Sequence, residues 1–132
     1  MSDDSISHLF VYGTLQPGDV RWPFLAPYVA DDGVPDSVDG RVYDTGRGYP
    51  AACFDEPGTI LGRTYQLRAD RLDEALAVID EEESSVEGGY VRVPVTTASG
   101  TRAWAYEYGG GLTLQLIEAG DWSRRCVSDP GL

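Results

Sequence analysis

A glycine-containing segment that follows a short apolar run is the first place where this sequence suggests chemistry. Residues 10–18 read Phe-Val-Tyr-Gly-Thr-Leu-Gln-Pro-Gly. A glycine directly after a buried strand lets the backbone turn sharply and approach a ligand closely. Successive N–H groups in such a turn can bind an anion, such as a carboxylate or the oxyanion of an acyl-transfer transition state. The same spacing occurs in ordinary strand-to-loop turns, and spacing alone favours that simpler interpretation.

The acidic run at residues 80–83 is the second candidate for chemistry. Each residue turns a helix by about 100°, so Glu83 lies about 20° from Leu72 and continues its apolar face, whereas Glu81 points roughly opposite. Burial raises the pKa of an unpaired carboxyl group toward values useful for proton transfer. Glu83 is therefore either paired with a cation, for which Arg92 is a candidate, or a functional acid/base. If the helix ends before Glu83, neither consequence holds, and helical geometry alone leaves the choice open.

The composition limits which other chemistries are open to this chain. Its 132 residues include 22 acids, 10 arginines and no lysine, which gives a formal net charge of −12 and a pI near 4.2. So much negative charge argues against a nucleic-acid surface, which needs clustered cations, and against a polybasic membrane anchor. His8 is the only histidine. A histidine-rich metal site is therefore nearly excluded, and so is a catalytic triad unless His8 is its base.

The cysteines and the start of the chain predict the compartment. Cys53 and Cys126 do not make a disulfide framework, and we expect a packed thiol and a tail thiol rather than nucleophiles. The acidic N-terminal residues contain no secretory signal, and no apolar run reaches the roughly 20 residues of a membrane span. We therefore expect a single cytoplasmic domain over residues 1–132, whose chemistry rests on carboxylates, hydroxyl groups and backbone amides.

The elements that must position these candidates follow from the periodicity of apolar residues. A helix is predicted from Arg71 to about Glu83, because Leu72, Ala75, Leu76 and Ile79 recur at helical spacing. Asp70 is its expected N-cap, with Asp73 three residues later in a variant capping box. Short apolar runs elsewhere predict strands and one short helix. The strands are His8–Tyr12, Val38–Tyr43, Ala51–Phe54 and Ile60–Leu67, and the short helix lies within Trp22–Val29.

A hairpin is predicted near the C-terminal end, with strands Tyr90–Thr96 and Arg102–Tyr108. Period-two alternation puts Trp104, Tyr106 and Tyr108 on one face, which usually means core and can also form a pocket wall. A three-residue loop places Arg92 opposite Tyr106, whereas a two-residue loop places Val91 or Val93 there, and both remain open. The last two dozen residues are expected to be irregular. Many short strands with one strong helix predict an α+β fold built on a small, partly closed mixed sheet or barrel.

The motifs resemble those of one known family. Tyr12-Gly13-Thr14-Leu15 closely resembles the opening Tyr-Gly-Ser/Thr-Leu motif of the gamma-glutamylcyclotransferase-like family, and the resemblance extends over about residues 8–123. Further family motifs are matched in chain order. They are Tyr49-Pro50-Ala51, the segment 61–65, the acidic helix end at 79–83, Tyr90-Val91-Arg92 and Gly120-Asp121-Trp122.

This resemblance implies a small mixed β-barrel with flanking helices and a defined reaction. A gamma-glutamyl amine or amino acid is converted to 5-oxoproline with release of the amine. The α-amine of the substrate is the nucleophile, so no metal or cofactor is required, and Glu83 is implied as the general acid/base. The expected partner is the small-molecule substrate, bound by a monomer or homodimer. The expected substrate-binding residues are Tyr12, Gly13, Thr14, Leu15, Tyr90, Arg92 and Tyr106.

Two departures from the family pattern lie beside the expected catalytic residue. Glu82 stands where the family usually has an aromatic residue, and Ser84 stands where glycine usually follows. A rival alignment uses Glu87, but Glu87 is only three residues from Tyr90, a tighter spacing than the family normally has. Because Glu82 and Ser84 differ from the family pattern, an alternative function is a binding protein that retains the family pocket without catalysis.

Overall fold

The computed structural model describes residues 6–13, 22–45, 49–54, 56–84, 89–110 and 114–117. These ranges contain eight strands, two α-helices and two 3-10 turns. None of the helices in these ranges is long and apolar enough to span a membrane. In chain order the strands and helices are β1 (His8–Val11), α1 (Trp22–Leu25), β2 (Val34–Asp39), β3 (Arg41–Asp44), β4 (Pro50–Cys53), β5 (Thr59–Gln66), α2 (Leu72–Ser84), β6 (Val91–Thr96), β7 (Arg102–Glu107) and β8 (Gln115–Leu116). The 3-10 turns are Ala26–Tyr28 and Ala69–Arg71.

The strands form two sheets around a central first strand. The larger sheet has the order β2-β5-β1-β7-β6, and the smaller one has the order β4-β3-β8. Strand β1 is antiparallel to β5 and parallel to β7, so the larger sheet is mixed. The two sheets meet where the Tyr108 N–H donates to the Ala52 carbonyl oxygen at 3.0 Å. The predicted α+β class with a mixed sheet is confirmed.

One loop brings the two edges of the larger sheet together. The Ala98 N–H in the loop between β6 and β7 donates to the carbonyl oxygen of Ser37 in β2 at 2.8 Å. Beside it, the carboxylate of Asp36 accepts hydrogen bonds from the Ser99 N–H at 3.2 Å and the Ser99 hydroxyl at 2.8 Å. This contact partly closes the sheet, although the strand pairing among the described residues does not join all strands into one barrel.

Strand β1 separates two layers of apolar side chains, because successive residues of a strand face opposite sides. Leu9 and Val11 pack with Ala75 and Ile79 of α2 in one cluster. Phe10 and Tyr12 belong to the other cluster, which contains Val42, Ala52 and Ile60 and fills the space toward the smaller sheet. The end of β1 is therefore held between the helix and the smaller sheet.

The expected single strand Val38–Tyr43 is wrong. Gly40 has φ 143° and ends β2, and β3 begins one residue later in the other sheet. A Cβ atom at Gly40 would lie 2.8 Å from the carbonyl oxygen of Cys53, so the backbones approach too closely for any other residue. The apolar run continues through this bend, and periodicity therefore does not detect it.

Two further differences concern the ends of elements. Helix α2 begins at Leu72 after the 3-10 turn, so Asp70 lies inside that turn, where its carboxylate pairs with the Arg68 guanidinium at 3.4 Å, rather than at the predicted N-cap. The last segment is not entirely irregular, since Gln115–Leu116 pair with Tyr43 and Asp44 of β3. Such a short strand is ordered by its partner rather than by its own sequence.

Candidate active site

A cavity opens between the end of β1 and the end of α2. It holds about 370 Å³ of space, including its open mouth. Among the described residues that line it, Glu83 is the only charged one. The lining residues are Phe10, Val11, Tyr12, Gly13, Tyr49, Pro50, Glu83, Tyr90 and Tyr106. One carboxylate in a mostly aromatic cavity is the arrangement expected of a small-molecule site.

The turn after β1 forms one wall of the cavity because Gly13 has no side chain. A Cβ atom at Gly13 would lie 2.4 Å from Cγ and 2.8 Å from Cδ of Pro50. Pro50 begins β4, and the preceding Tyr49 packs edge-on against the ring of Tyr90, with 6.0 Å between ring centres. The glycine therefore lets the β1 turn and the Tyr49–Pro50 segment meet at this wall.

Helix α2 continues through Ser84 and carries Glu83 into the cavity. Glu83 is half-buried and lines the cavity, whereas Glu81 is exposed, as their positions around the helix predict. The charge of Glu83 acts on Tyr12 in the facing wall: burial, and after it this carboxylate, hold the pKa of the Tyr12 phenol well above its ordinary value. The carboxylate of Glu83 is thus close enough to Tyr12, in the turn after β1, to affect its ionisation.

The hydroxyl groups of three cavity tyrosines all donate to acceptors within the protein. Tyr12 donates to the backbone carbonyl oxygen of Tyr106 at 2.5 Å, across 94 positions of sequence. Tyr90 donates to the carbonyl oxygen of Pro50. Tyr106 donates to Oδ1 of Asp80 at 2.6 Å. The first and third bonds join the turn after β1 to strand β7 and β7 to helix α2, and the second joins the residue before β6 to the start of β4.

Arg92 lies beside the cavity rather than in its lining. Its Nε donates to Oδ1 of Asp80 at 2.9 Å and its Nη2 donates to Oδ2 at 3.2 Å, while its guanidinium lies 4.3 Å from the centre of the Trp104 ring. Arg92, which the sequence offers as a partner for Glu83, is thus bound to Asp80, three residues before Glu83 on α2. The loop between β6 and β7 has three residues, which is one of the two lengths left open by the sequence. Arg92 therefore lies opposite Tyr106.

The structure therefore brings together most of the predicted site residues. Tyr12, Gly13, Glu83, Tyr90 and Tyr106 line one cavity, and Arg92 contacts it through Asp80. Four other predicted features fall outside the described residues. These are Thr14 and Leu15, which follow Gly13 in sequence, the rival glutamate Glu87, the Gly120-Asp121-Trp122 motif and Cys126.

Sequence reasoning did not assign Tyr49, Pro50 or Asp80 to the site. The match of Tyr49-Pro50-Ala51 to a family motif is the signal in the sequence for the first two. Asp80 belongs to the acidic run at residues 80–83, in which helical phase singles out only Glu83. Its role depends on pairing with β6 and β7, which are 12 and 26 residues away, so no local pattern reports it.

Comparisons with known proteins point to one family. The family model described as gamma-glutamyl cyclotransferase, AIG2-like, matches residues 9–124. A protein of Halalkalibacterium halodurans named "Putative gamma-glutamylcyclotransferase" is 32% identical over 88 residues, which make up 64% of this chain and 79% of that protein. The range that the family model matches, residues 9–124, contains every described residue that lines the cavity. It also contains helix α2 and strands β6 and β7.

Solved structures with low sequence identity have the same fold. An uncharacterized protein from Pyrococcus horikoshii superposes with a TM-score of 0.68 at 24% identity, over 90% of this chain and 91% of that one. An AIG2-like protein from Mus musculus gives a TM-score of 0.63 at 18% identity, over 80% of each chain. The α+β arrangement of this chain is therefore shared with proteins that differ from it at about four positions in five.

Proposed function

Because the chain belongs to the gamma-glutamyl cyclotransferase, AIG2-like family, we propose that it cyclises a gamma-glutamyl amine or gamma-glutamyl amino acid to 5-oxoproline and releases the amine. The observation that carries the proposal is that Glu83 lines the same cavity as Tyr12 and Gly13 of the β1 turn. An acid/base group and a turn that can supply N–H donors then reach one bound molecule.

In the proposed reaction, Glu83 moves protons between two nitrogen atoms of the substrate. Its carboxylate accepts a proton from the α-ammonium group, and the free amine forms a bond to the γ-carbonyl carbon. The oxyanion that results is held by N–H groups of the β1 turn, for which Gly13, Thr14 and Leu15 are the candidates. The carboxyl group then protonates the leaving nitrogen as its bond to carbon breaks. The ring nitrogen gives up its second proton by the same route, so the amine leaves protonated.

The nucleophile in this reaction belongs to the substrate, which suits the residues of the cavity. Ring closure is intramolecular because the substrate carries its own nucleophile, and the cavity contributes by holding the two reacting ends in a near-attack geometry. The aromatic side chains of Tyr12, Tyr90 and Tyr106 line the cavity and limit the access of water. Exclusion of water favours cyclisation over hydrolysis of the same amide.

The test is production of 5-oxoproline from a panel of gamma-glutamyl amines and dipeptides by the wild-type protein and by Glu83→Gln. We expect Glu83→Gln to lower kcat by about 10²–10⁴-fold, because an amide cannot carry the proton. Glu81→Gln is the matched control, since it removes the same charge from the exposed face of α2 and should leave kcat unchanged. Equal production by wild type and Glu83→Gln would reject Glu83 as the acid/base.

A binding protein without catalysis is the second candidate, and the residues beside Glu83 favour it. Glu82 is half-buried where the family usually has an aromatic residue, and Ser84 follows where glycine is usual. Absence of turnover on every panel member, together with binding of a gamma-glutamyl compound in a thermal-shift assay, would favour this candidate over the enzyme.

A further inference from the structure

The last turn of α2 carries Glu83, and its own sequence does little to hold it in place. Residues 80–83 are all acidic, and the last turn contains no basic residue. The carboxyl end of a helix has a partial negative charge, so acidic side chains there weaken the final turn. The position of Glu83 therefore depends on contacts between this turn and other elements.

Asp80 attaches this turn to two strands of the larger sheet. Its Oδ1 accepts hydrogen bonds from Nε of Arg92 in β6 at 2.9 Å and from the hydroxyl group of Tyr106 in β7 at 2.6 Å. Its Oδ2 accepts a hydrogen bond from Nη2 of Arg92 at 3.2 Å. Paired bonds between a guanidinium and a carboxylate fix the orientation of both groups. Because Asp80 precedes Glu83 by three residues, this attachment lies within one helical turn of Glu83.

Tyr106 connects the attached helix end with the turn after β1. Its hydroxyl group donates to Asp80, and its backbone carbonyl oxygen accepts the hydroxyl proton of Tyr12 at 2.5 Å. Tyr12 directly precedes Gly13, and both residues line the cavity. Tyr106 is buried, so breaking either bond would leave a buried polar group without its partner, at a cost in free energy. Two hydrogen bonds thus connect the helix that carries Glu83 with the turn that contains Gly13.

We propose that Asp80 is a positioning residue: held by Arg92 and bonded to Tyr106, it fixes the last turn of α2 and thereby the distance between Glu83 and the turn after β1. This inference rests on the proposed function, in which Glu83 moves protons while N–H groups of that turn bind the oxyanion. Both must reach one substrate molecule at the same time, and a misplacement of about 1 Å can cost about 100-fold in rate. A loosened helix end should therefore lower kcat more than it raises KM.

The other end of α2 supplies a matched control for Asp80. Glu74, in the first turn, also bonds one tyrosine and one arginine. Its Oε2 accepts hydrogen bonds from the hydroxyl group of Tyr28 at 2.8 Å and from Nη2 of Arg71 at 3.3 Å. Asp80→Ala and Glu74→Ala therefore each remove one negative charge and one attachment of this kind from the same helix. They differ in that the Asp80 attachment lies in the turn that carries Glu83.

The test measures kcat and KM of these variants with the panel substrate from which the wild type makes 5-oxoproline fastest. We expect Asp80→Ala to lower kcat by about 10–100-fold and to change KM by less than about threefold. Glu74→Ala should leave kcat within about twofold of the wild type, because the turn that it loosens is remote from Glu83. Thermal unfolding of each variant establishes that it is folded.

Two further variants separate the hydrogen bond of Asp80 from its charge. Asp80→Asn removes the charge but keeps an oxygen that can accept from Tyr106, so kcat should stay within about fivefold of the wild type. Tyr106→Phe breaks the same bond from the other side and leaves Arg92 bound to Asp80, so its loss of kcat cannot come from a freed arginine. Since Asp80→Ala and Tyr106→Phe interrupt one connection, the double variant should have a kcat close to that of the slower single variant.

Hydrogen exchange measures the attachment of the helix end without any turnover. The backbone amides of the last turn of α2 should exchange faster in Asp80→Ala and in Tyr106→Phe than in the wild type, and at the wild-type rate in Glu74→Ala.

Four outcomes overturn the inference. They are an unchanged kcat in Asp80→Ala, an equal loss of kcat in Glu74→Ala, a double variant whose loss is the product of the two single losses, and unchanged exchange in Asp80→Ala. The proposed function fails separately, if the wild type makes no 5-oxoproline from any panel member. In that case the exchange rates alone decide whether Asp80 fixes the end of α2.

Discussion

At the scale of single residues, the wall of the cavity depends on a position with no room for a side chain. Gly13→Ala puts a methyl group 2.4 Å from Cγ of Pro50. We expect the variant to lose about 1–3 kcal/mol of unfolding free energy, because the β1 turn and β4 must move apart. Urea denaturation measures this loss, and turnover should fall with it because both segments line the cavity.

Pro50→Ala provides the matched control for this prediction, since it removes the two ring carbons that the new methyl group would meet. The double variant should be more stable than the sum of the two single changes predicts, which is a favourable coupling. Additive losses would mean that Gly13 is required for its backbone conformation rather than for its contact with Pro50.

Glu83 and Gly13 show which features of single residues can be predicted from the sequence and which cannot. The helical phase that turns Glu83 inward depends only on the spacing from Leu72 within one helix, and that prediction is confirmed by the geometry. The contact of Gly13 with Pro50 joins residues 37 positions apart. A glycine after a strand has many causes, and only the three-dimensional contact identifies this one.

At the scale of elements, the pair between Asp80 and Arg92 fastens the end of α2 to β6. The side chains are 41% and 24% exposed, so the pair is neither a surface bridge nor fully buried. We expect Arg92→Met to lower the free energy of unfolding by about 1–2 kcal/mol, because Asp80 keeps only its hydrogen bond from Tyr106 and the face of Trp104 loses the guanidinium.

Arg92→Lys tests whether geometry or charge matters in this pair. Lysine keeps the positive charge but loses the planar fork that makes two bonds and stacks on Trp104. Chemical denaturation should therefore place Arg92→Lys between the wild type and Arg92→Met. A lysine variant as stable as the wild type would mean that charge alone fastens the helix end.

Elements were predictable wherever one sequence period ran without interruption. Helix α2 and strands β1, β5, β6 and β7 are found close to their expected ranges, because each buries one regular face. The division of Val38–Tyr43 at Gly40 and the two-residue strand β8 were not predictable. Both are decided by which sheet the backbone pairs with, and that choice depends on residues far away in sequence.

At the scale of the whole molecule, Asp36 holds the larger sheet partly closed. Burial of its carboxyl group raises the pKa, but hydrogen bonds from three hydroxyl groups and the Ser37 amide outweigh burial and hold the pKa below its ordinary value. A lowered pKa stabilises the fold above the unfolded-state value of about 3.9, and this stabilisation is lost as pH falls through the folded-state value. The contribution is therefore present at neutral pH.

We expect Asp36→Asn to cost about 1–2 kcal/mol at neutral pH, after allowance for solvent screening, and progressively less as pH falls below about 4. Denaturation of the wild type and the variant across this pH range measures the difference. Asp39→Asn, at an exposed position of the same strand, is the control. A cost for Asp36→Asn that does not change with pH would mean that its shape rather than its charge closes the sheet.

The central position of β1 in the larger sheet determines when the protein can fold during its synthesis. Strand β1 is synthesised before every other described strand and helix, yet it pairs with Arg63–Gln66 of β5 and with Trp104 of β7. Domains larger than a few elements generally fold as units during or after synthesis. Because the cavity draws residues from Phe10 to Tyr106, a nascent chain cannot acquire it until most of the polypeptide has emerged. A ribosome stalled halfway would therefore display a polypeptide that binds no ligand.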